Sequence, residues 1–441
     1  MDMPVACHLN NRTACFYPKR AFHADNGTAE CAAAGRYTDK IWMAKAVNSK
    51  YHHNALWQTA TSEMGPQSYP AGFSAVCWYT GKSLFEQLGG GTPVGLLQTS
   101  VGGSPIEYWL PPPTAATSVT PASASPQPAL TPQPPANVNA CERDIPQCDN
   151  QYNDSFFFTD IVEQFVPYTI GALVWDQAER DVKCPVALAA YGCMQRLLTT
   201  SWRAAFRSPR APFIAVQLPG YTAALNNGTG TYPGYVTAEM VFDMRLQQAQ
   251  GTMGVPNASY VPTYDLSVPT SPYGSVHNVE KGPIGERIAT QLMQALAGEP
   301  AAAAAAVFEG PRAISATAVF TKLRATTGGV YTITVEFQGG RAPFGTSGTK
   351  NCTSCCAGEH TLDFDVSMSR AAGVWVNGTH SRVDAETGRV SFEVSGVPQC
   401  QQPAVVRYTA ASIFPQCALK SAEGLPALPF TLPITVSAVA S

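Results

Sequence analysis

TPVGLLQTSVGGSPIEYW, residues Thr92 to Trp109, is the stretch whose reading decides the fold of this chain. Its apolar opening, Val94-Gly95-Leu96-Leu97, is long enough for a buried strand and too short for a typical helix. Gln98-Thr99-Ser100 then leads into Gly102-Gly103-Ser104-Pro105. Paired glycines permit positive φ and a close approach of backbone to whatever lies past the strand. In an open α/β sheet that end is where ligands bind. Backbone N–H groups released at such a turn can aim at a developing oxyanion. Taken alone, the same spacing also fits a strand followed by an ordinary Gly-Pro turn.

Outward from this stretch, helical and strand patterns alternate. Residues 73–88 carry Phe73, Val76, Cys77, Leu84 and Leu88 at helical spacing and end at Gly89-Gly90-Gly91. Residues 169–175 form a second apolar run that breaks into the polar burst Asp176–Asp181. A helix is expected over 188–206, a third buried strand over 212–218 and a helix over 235–249. Residues 259–266 read as a strand, and 285–296 as an amphipathic helix with Ile288, Leu292, Met293 and Leu296 inward. The alternation predicts an α/β domain with a parallel sheet over 1–300, in which 92–97 and 169–175 lie close together. Residues 1–56 read as loop with short helices, and 111–140, rich in Pro, Ala, Ser and Thr, as an extended insertion. From 307 to 441 short β-branched segments separated by Gly, Asn and Ser predict a smaller β-sandwich-like domain.

Composition narrows the function classes. A net charge of −3 with 13% charged residues gives no reason to invoke nucleic acid. No apolar stretch approaches the ~20 residues of a membrane span, and Ala301–Ala306 reads as a linker or helix end. Seven N-x-Ser/Thr sequons, at Asn11, Asn26, Asn153, Asn227, Asn257, Asn351 and Asn377, fit a glycosylated protein. Thirteen cysteines fit an oxidising compartment and leave at least one without a partner in the chain. Together they place the protein in the secretory pathway, secreted or lysosomal, although Met1-Asp2-Met3-Pro4-Val5 shows no signal features. Cys141 and Cys148 can close a small loop. Cys352-x-x-Cys355-Cys356 can hold zinc, or form disulfides with Cys400 and Cys417, the favoured reading. No P-loop, H-E-x-x-H or dinucleotide fingerprint occurs. His277 follows a turn and precedes a helix, a position that by itself assigns it no task.

Taken together, these residues resemble the sialate O-acetylesterase family of SGNH-type hydrolases. Ser74-Ala75-Val76-Cys77-Trp78 with Gly81 resembles S-A-V-C-x-x-x-G. Pro93-Val94-Gly95-Leu96 through Gly102-Gly103-Ser104-Pro105-Ile106-Glu107 and Trp109 resembles P-I-G-L-I…W-G-G-T-P-I-E-A-W. Trp175-Asp176-Gln177-Ala178-Glu179 resembles W-Y-Q-G-E, Trp202-Arg203 the W-R that closes the next helix, and 212–218 P-F-x-x-V-Q-L. Ser271-Pro272-Tyr273-Gly274-Ser275-Val276-His277 with Lys281 resembles S-P-x-G-S-I-H-P-x-x-K, and 426–433 the closing proline-rich segment.

The resemblance implies a three-layer SGNH-hydrolase-like parallel sheet and a carboxylic-ester hydrolase that removes O-acetyl groups from sialic acids or related sugars. The partner implied is an O-acetylated glycan; no metal or organic cofactor is called for. His277 would be the general base. Gly102 or Gly103 would supply a backbone N–H, and Gln177 a side-chain N–H, to the oxyanion. Trp109 and Trp175 would either stack on a sugar face or belong to the core. Asp265 is the candidate for orienting His277. Ala178 stands where the family has glycine, and Asn278 where it has proline. The family's serine lies in G-Q-S-N-M, and no G-Q-S-N occurs here. Met1-Asp2-Met3-Pro4-Val5 resembles the residues from that methionine onward, so the resemblance implies a sheet lacking its first strand, with the nucleophile upstream of Met1. Two other readings stand beside it: a catalytically inactive secreted glycan-binding protein, and an acetylesterase for another polysaccharide. The pattern does not indicate an oligomeric state.

Overall fold

The computed structural model describes residues 33–45, 57–60, 73–112, 155–166, 168–220, 222, 235–271, 275, 277–297, 310–324, 328–350, 352, 355–356, 362–369, 374–398 and 400–437. Most of the 1–56 stretch, the 111–140 insertion past its first two residues, the Cys141/Cys148 pair, the six-alanine run and the turn residues 272–274 lie outside these.

Helix α1, Ala75–Gln87, starts where Ser74 accepts the Cys77 N–H with its hydroxyl, a cap of ordinary type. Gly89 and Gly90, both at positive φ, end it. Strands β1 (Ile41–Lys45), β2 (Gln58–Thr59) and β3 (Val94–Gln98) form a sheet in the order β2-β1-β3, with β1 and β3 parallel and Ile41 opposite Val94. Strand β1 sits inside a stretch expected to be loop. Its apolar run is only four residues long, Ile41 to Ala44, among polar neighbours, too little for periodicity to register.

Strands β4 (Leu173–Trp175), β5 (Phe213–Val216) and β6 (Ala258–Val261) form a second parallel sheet in that order. The expectation that 92–97 and 169–175 share one sheet is therefore corrected. Among the described residues β3 and β4 are each the edge of their own three-stranded sheet.

Helices α2 (Pro185–Ala205), α3 (Ala238–Thr252) and α4 (Lys281–Ala297) complete the α/β part. Alternation along β5 shows how they are layered. Ile214 and Val216 pack with Val76, Ile284, Ile288 and Leu292 of α1 and α4, whereas Phe213 and Ala215 join Tyr191, Leu198, Val241 and Met244 of α2 and α3. Successive strand residues face opposite sides, so helices cover both faces. Helix α4 crosses α1 at Gly285, where a Cβ would lie 2.5 Å from Tyr79 Cβ and 2.7 Å from the Thr80 nitrogen. Only glycine admits that approach.

From Arg312 onward the described chain is β-rich. One sheet has the order β12-β13-β8-β7-β17 and comprises β7 (Arg312–Arg324), β8 (Gly328–Gln338), β12 (Thr379–Val383), β13 (Val390–Val397) and β17 (Thr435–Ser437). A second, in the order β11-β10-β14-β16, comprises β10 (Phe364–Ser367), β11 (Trp375–Asn377), β14 (Val405–Tyr408) and β16 (Phe430–Pro433). Strands β9 (Gly345–Gly348) and β15 (Cys417–Lys420) form a two-stranded sheet, and the two larger sheets share a core in which Phe364 stacks on Phe392 at 4.6 Å. Cys352 bonds to Cys355 and Cys356 to Cys417, while Cys400 is an exposed thiol. No cluster of His, Cys, Asp or Glu suited to a metal ion is found among the described residues, and no described helix is long and apolar enough to cross a membrane.

The close α1–α4 crossing yields a test. Gly285→Ala should lower unfolding stability by about 1–3 kcal/mol, the usual cost of overpacking. An unchanged denaturant midpoint would show that the helices do not approach as described.

Candidate active site

Three loops converge past the carboxyl ends of the parallel strands. After β3 the chain turns at Gly103, whose φ is +79°. Ser104 steadies that turn: its hydroxyl donates to Val101 O at 2.7 Å and accepts the Trp109 indole N–H at 2.9 Å. Two residues past β4, the Gln177 amide reaches across. Its Nε2 donates to Ser104 O at 3.0 Å and to Asp181 Oδ2 at 2.6 Å, and its Oε1 accepts from the Tyr191 hydroxyl at 2.8 Å. Tyr191 in turn accepts the Trp175 indole N–H at 3.0 Å. From α3, Gln248 donates to Gln177 O at 3.1 Å.

The glycine loop and Gln177 thus stand together. Both amide hydrogens of Gln177 are already committed, however, to Ser104 and Asp181. As arranged, this side chain holds the loop, and donating to an oxyanion would require it to exchange one of those bonds. Trp109 and Trp175 are buried and meet edge to face at 6.1 Å, and the Trp202 indole N–H donates to Trp109 O at 2.8 Å. Their ring faces serve the core.

Asp181 is nearly inaccessible, at 1% exposure. The Ile106 N–H points at its two oxygens, at 3.3 and 3.5 Å. Burial pushes its carboxyl well above the ordinary carboxylate range, and the negative charge of Glu107 adds to the rise. Burial raises the Tyr191 hydroxyl as well.

His277 is half-buried beside the β4 loop, and its carbonyl accepts the Ser271 hydroxyl at 2.7 Å. Burial lowers its imidazole below the usual range, against the opposing pull of the Glu179 carboxylate. Lys281, four residues on, pairs with Asp176 at 3.7 Å, which ties the 277–281 segment to the end of β4.

Asp265 lies elsewhere. Its oxygens accept both Arg287 guanidinium nitrogens, at 2.9 and 2.8 Å, and the Lys420 ammonium at 3.1 Å. Burial pushes this carboxyl up, but the two cations outweigh it and hold it below its ordinary value. Its carboxylate is engaged with those cations and makes no hydrogen bond to the imidazole.

Sequence reasoning missed two members of this cluster. Asp181 closed the polar burst after the second apolar run, a signal read only as a strand's end. Tyr191 sits in an apolar helix face and carried no signal at all.

No protein-family model matches the chain. A sialate O-acetylesterase of Rattus norvegicus is 27% identical over 238 residues, 49% of this chain and 41% of the relative. That of Homo sapiens is 25% identical over 244 residues, 53% of this chain and 41% of the relative. The chain is a relative of the sialate O-acetylesterases. The match spans less than half the length of these curated relatives. A carbohydrate acetylesterase from Xanthomonas citri, 18% identical, shares the fold with a TM-score of 0.63 over 95% of this chain and 78% of the other.

Asp181 supplies a pH test. The unfolded carboxyl titrates near about 4, and the folded one keeps its proton to higher pH. Above about pH 4 the unfolded chain releases a proton that the native state retains, so stability falls as pH rises, by up to about 1.4 kcal/mol per unit for one proton. Asp181→Asn should remove that slope. Denaturant midpoints of wild type and variant that run parallel between pH 4 and 8 would show that Asp181 is not protonated.

Proposed function

We propose that the chain forms the scaffold of a carboxylic-ester hydrolase that removes O-acetyl groups from sialic acids or related sugars by a Ser/His mechanism on an SGNH-type three-layer sheet. The observation that carries this reading is the convergence of the Gly103 turn, Gln177 and the His277 segment at one end of the parallel strands. The kinship to sialate O-acetylesterases and the fold shared with a carbohydrate acetylesterase support it. A domain division near residues 300–307 and a secretory-pathway location belong to the same reading. Seven sequons and the disulfides support the latter.

In this mechanism the serine hydroxyl attacks the acetyl carbonyl while His277 takes its proton. The tetrahedral oxyanion is met by the N–H groups of the Gly102-Gly103 turn. The ester C–O bond then breaks as the imidazolium returns the proton to the leaving sugar hydroxyl, and water releases acetate from the acyl-enzyme by the same steps. A half-buried imidazole with a lowered pKa is neutral at pH 7, the form a general base needs.

Ser100 and Ser104, the serines of the glycine loop, do not fit the nucleophile's role. The first accepts from Gln98 at 2.8 Å and the second is tied to Val101 and Trp109. With no Gly-Gln-Ser-Asn in the 441 residues, a second reading follows for the chain by itself: it binds acetylated sugar without turning it over.

Calorimetry with 9-O-acetyl-N-acetylneuraminic acid and its deacetylated form tests the binding, and a preference for the acetylated sugar is expected. When a strand-forming segment ending in Gly-Gln-Ser-Asn is joined ahead of Met1, aryl-acetate hydrolysis should appear. His277→Ala should then lower kcat by roughly 10³–10⁶ with little change in KM. Equal binding of both sugars, or a variant that keeps about a tenth or more of the wild-type kcat, would contradict the proposal.

A further inference from the structure

Of the seven sequons, those of Asn257 and Asn377 lie among the described residues. The two asparagines differ. The Asn257 side chain donates to Arg210 O at 3.1 Å, whereas Asn377 is exposed and its amide bonds to no described residue. Asn377 ends β11, Gly378 turns the chain, and Thr379 opens β12. That corner is fixed: the Gly378 N–H donates to Phe364 O at 2.8 Å, and a Cβ on Gly378 would stand 2.5 Å from the Phe392 ring. Strand β11 is the edge of its sheet.

Two residues before Asn377 stands Trp375, and alternate residues of a strand share a face about 6–7 Å apart. The register says which face. Asn377 lies opposite Asp365, Asp365 opposite Arg407, and Trp375 opposite Ser367. This is the side of β10 turned away from Phe364 and Val366, which belong to the core between the sheets. There the Arg407 guanidinium lies 3.5 Å from the centre of the Trp375 ring. Asp365 at 2.6 Å and Glu239 at 3.2 Å hold that cation in place. The indole is thus propped from one side. It is half-buried, no second ring or cation lies over it among the described residues, and Val374 just before it is 83% exposed.

We propose that Asn377 is an N-glycosylation site whose first N-acetylhexosamine folds back onto the open face of Trp375, giving a stack of sugar, indole and guanidinium. The C–H face of a pyranose is apolar with slightly positive hydrogens, which suits the negative face of an aromatic ring. Because Arg407 already fixes the indole, little ordering remains to be lost when the sugar settles. In the transfer, the bond from the sugar C1 to a lipid-linked pyrophosphate breaks as the bond from Asn377 Nδ2 to C1 forms. The pyrophosphate keeps the electron pair, and Nδ2 releases one proton. A sugar attached two residues from the ring has a far higher effective concentration there than one in solution. The glycan would also cover the open edge of β11, a place where unpaired strands recruit other chains. The inference rests on the secretory-pathway location and not on the ester chemistry.

The test is secretion of the 441-residue chain behind an added leader peptide, from eukaryotic cells that keep high-mannose glycans. The leader takes the protein's natural export out of the question, and no readout uses the ester site. After endoglycosidase H, peptide mass mapping should find one N-acetylglucosamine on Asn377, and Thr379→Ala should remove it. In the trimmed proteins Thr379→Ala should raise the unfolding equilibrium constant roughly 2–10-fold, the scale of contacts on an aromatic face. With Trp375→Ala already present, the same change should do much less. If a variant does not fold, the wild-type protein still decides, because the N-acetyl methyl protons of the Asn377 sugar should be shifted upfield by the indole. An unmodified Asn377, equal effects of Thr379→Ala in both backgrounds, or an unshifted methyl signal would overturn the proposal. So would free N-acetylglucosamine that binds Trp375 of the Thr379→Ala protein as well as the attached sugar does, since the ring would then be a site for sugars in trans.

Discussion

The Gln177 amide is the clasp on which this architecture depends. The sheets β2-β1-β3 and β4-β5-β6 share no strand pairing among the described residues, and at their carboxyl ends this side chain spans them. It gives one N–H to Ser104 O and the other to Asp181, and takes the Tyr191 hydroxyl on its oxygen. An amide suits the position because it presents two donors and an acceptor in one plane. A leucine would take from Ser104 O, Asp181 and Tyr191 one hydrogen-bond partner each, and a buried group left unsatisfied costs about 1–3 kcal/mol. The glycine turn that opens the candidate site is thus positioned from the neighbouring sheet.

A second constraint joins the α/β part to the β-rich region. Asp265, Arg287 and Lys420 bring together a 3₁₀ turn, α4 and β15 (Cys417–Lys420). Breaking such a buried set leaves uncompensated charge and typically costs about 3–5 kcal/mol. Nearby, the Tyr264 hydroxyl donates to Ala427 O at 2.9 Å. Arg407, stacked over Trp375 at 3.5 Å, pairs with Asp365 of its own sheet and with Glu239 of α3. Residues just upstream of the His277 segment are in this way anchored to the β-rich region.

Most elements were legible because their signals are local. Apolar spacing from Phe73 and the stop at Gly89-Gly90 bounded α1 within two residues, and the apolar runs at 94–97 and 212–218 became β3 and β5. The run at 169–175 shrank to three residues, since Thr169, Ile170 and Gly171 lie before the pairing with β5 begins. Gln177 reaches the Gly103 turn through Ser104, and Lys281 ties the His277 segment to the end of β4. What motif order could not show was who bonds whom. The commitments of Gln177 to Ser104, and of Asp265 to Arg287 and Lys420, are long-range pairings that no spacing encodes. Nor does periodicity reveal that a sheet is split: β3 and β4 each read as a buried strand whether or not they are neighbours.

The claim at the centre of this account is that one site is built from the β3 turn, the β4 loop and the His277 segment. Its most direct measurement is a crystal structure of the protein with 9-O-acetyl-N-acetylneuraminic acid bound. The account predicts the acetyl carbonyl oxygen within hydrogen-bond distance, about 3 Å, of the Gly102 or Gly103 nitrogen, with the ester oxygen facing the His277 imidazole. Sugar bound only in the β-rich region, or with its acetyl group turned away from His277, would contradict it.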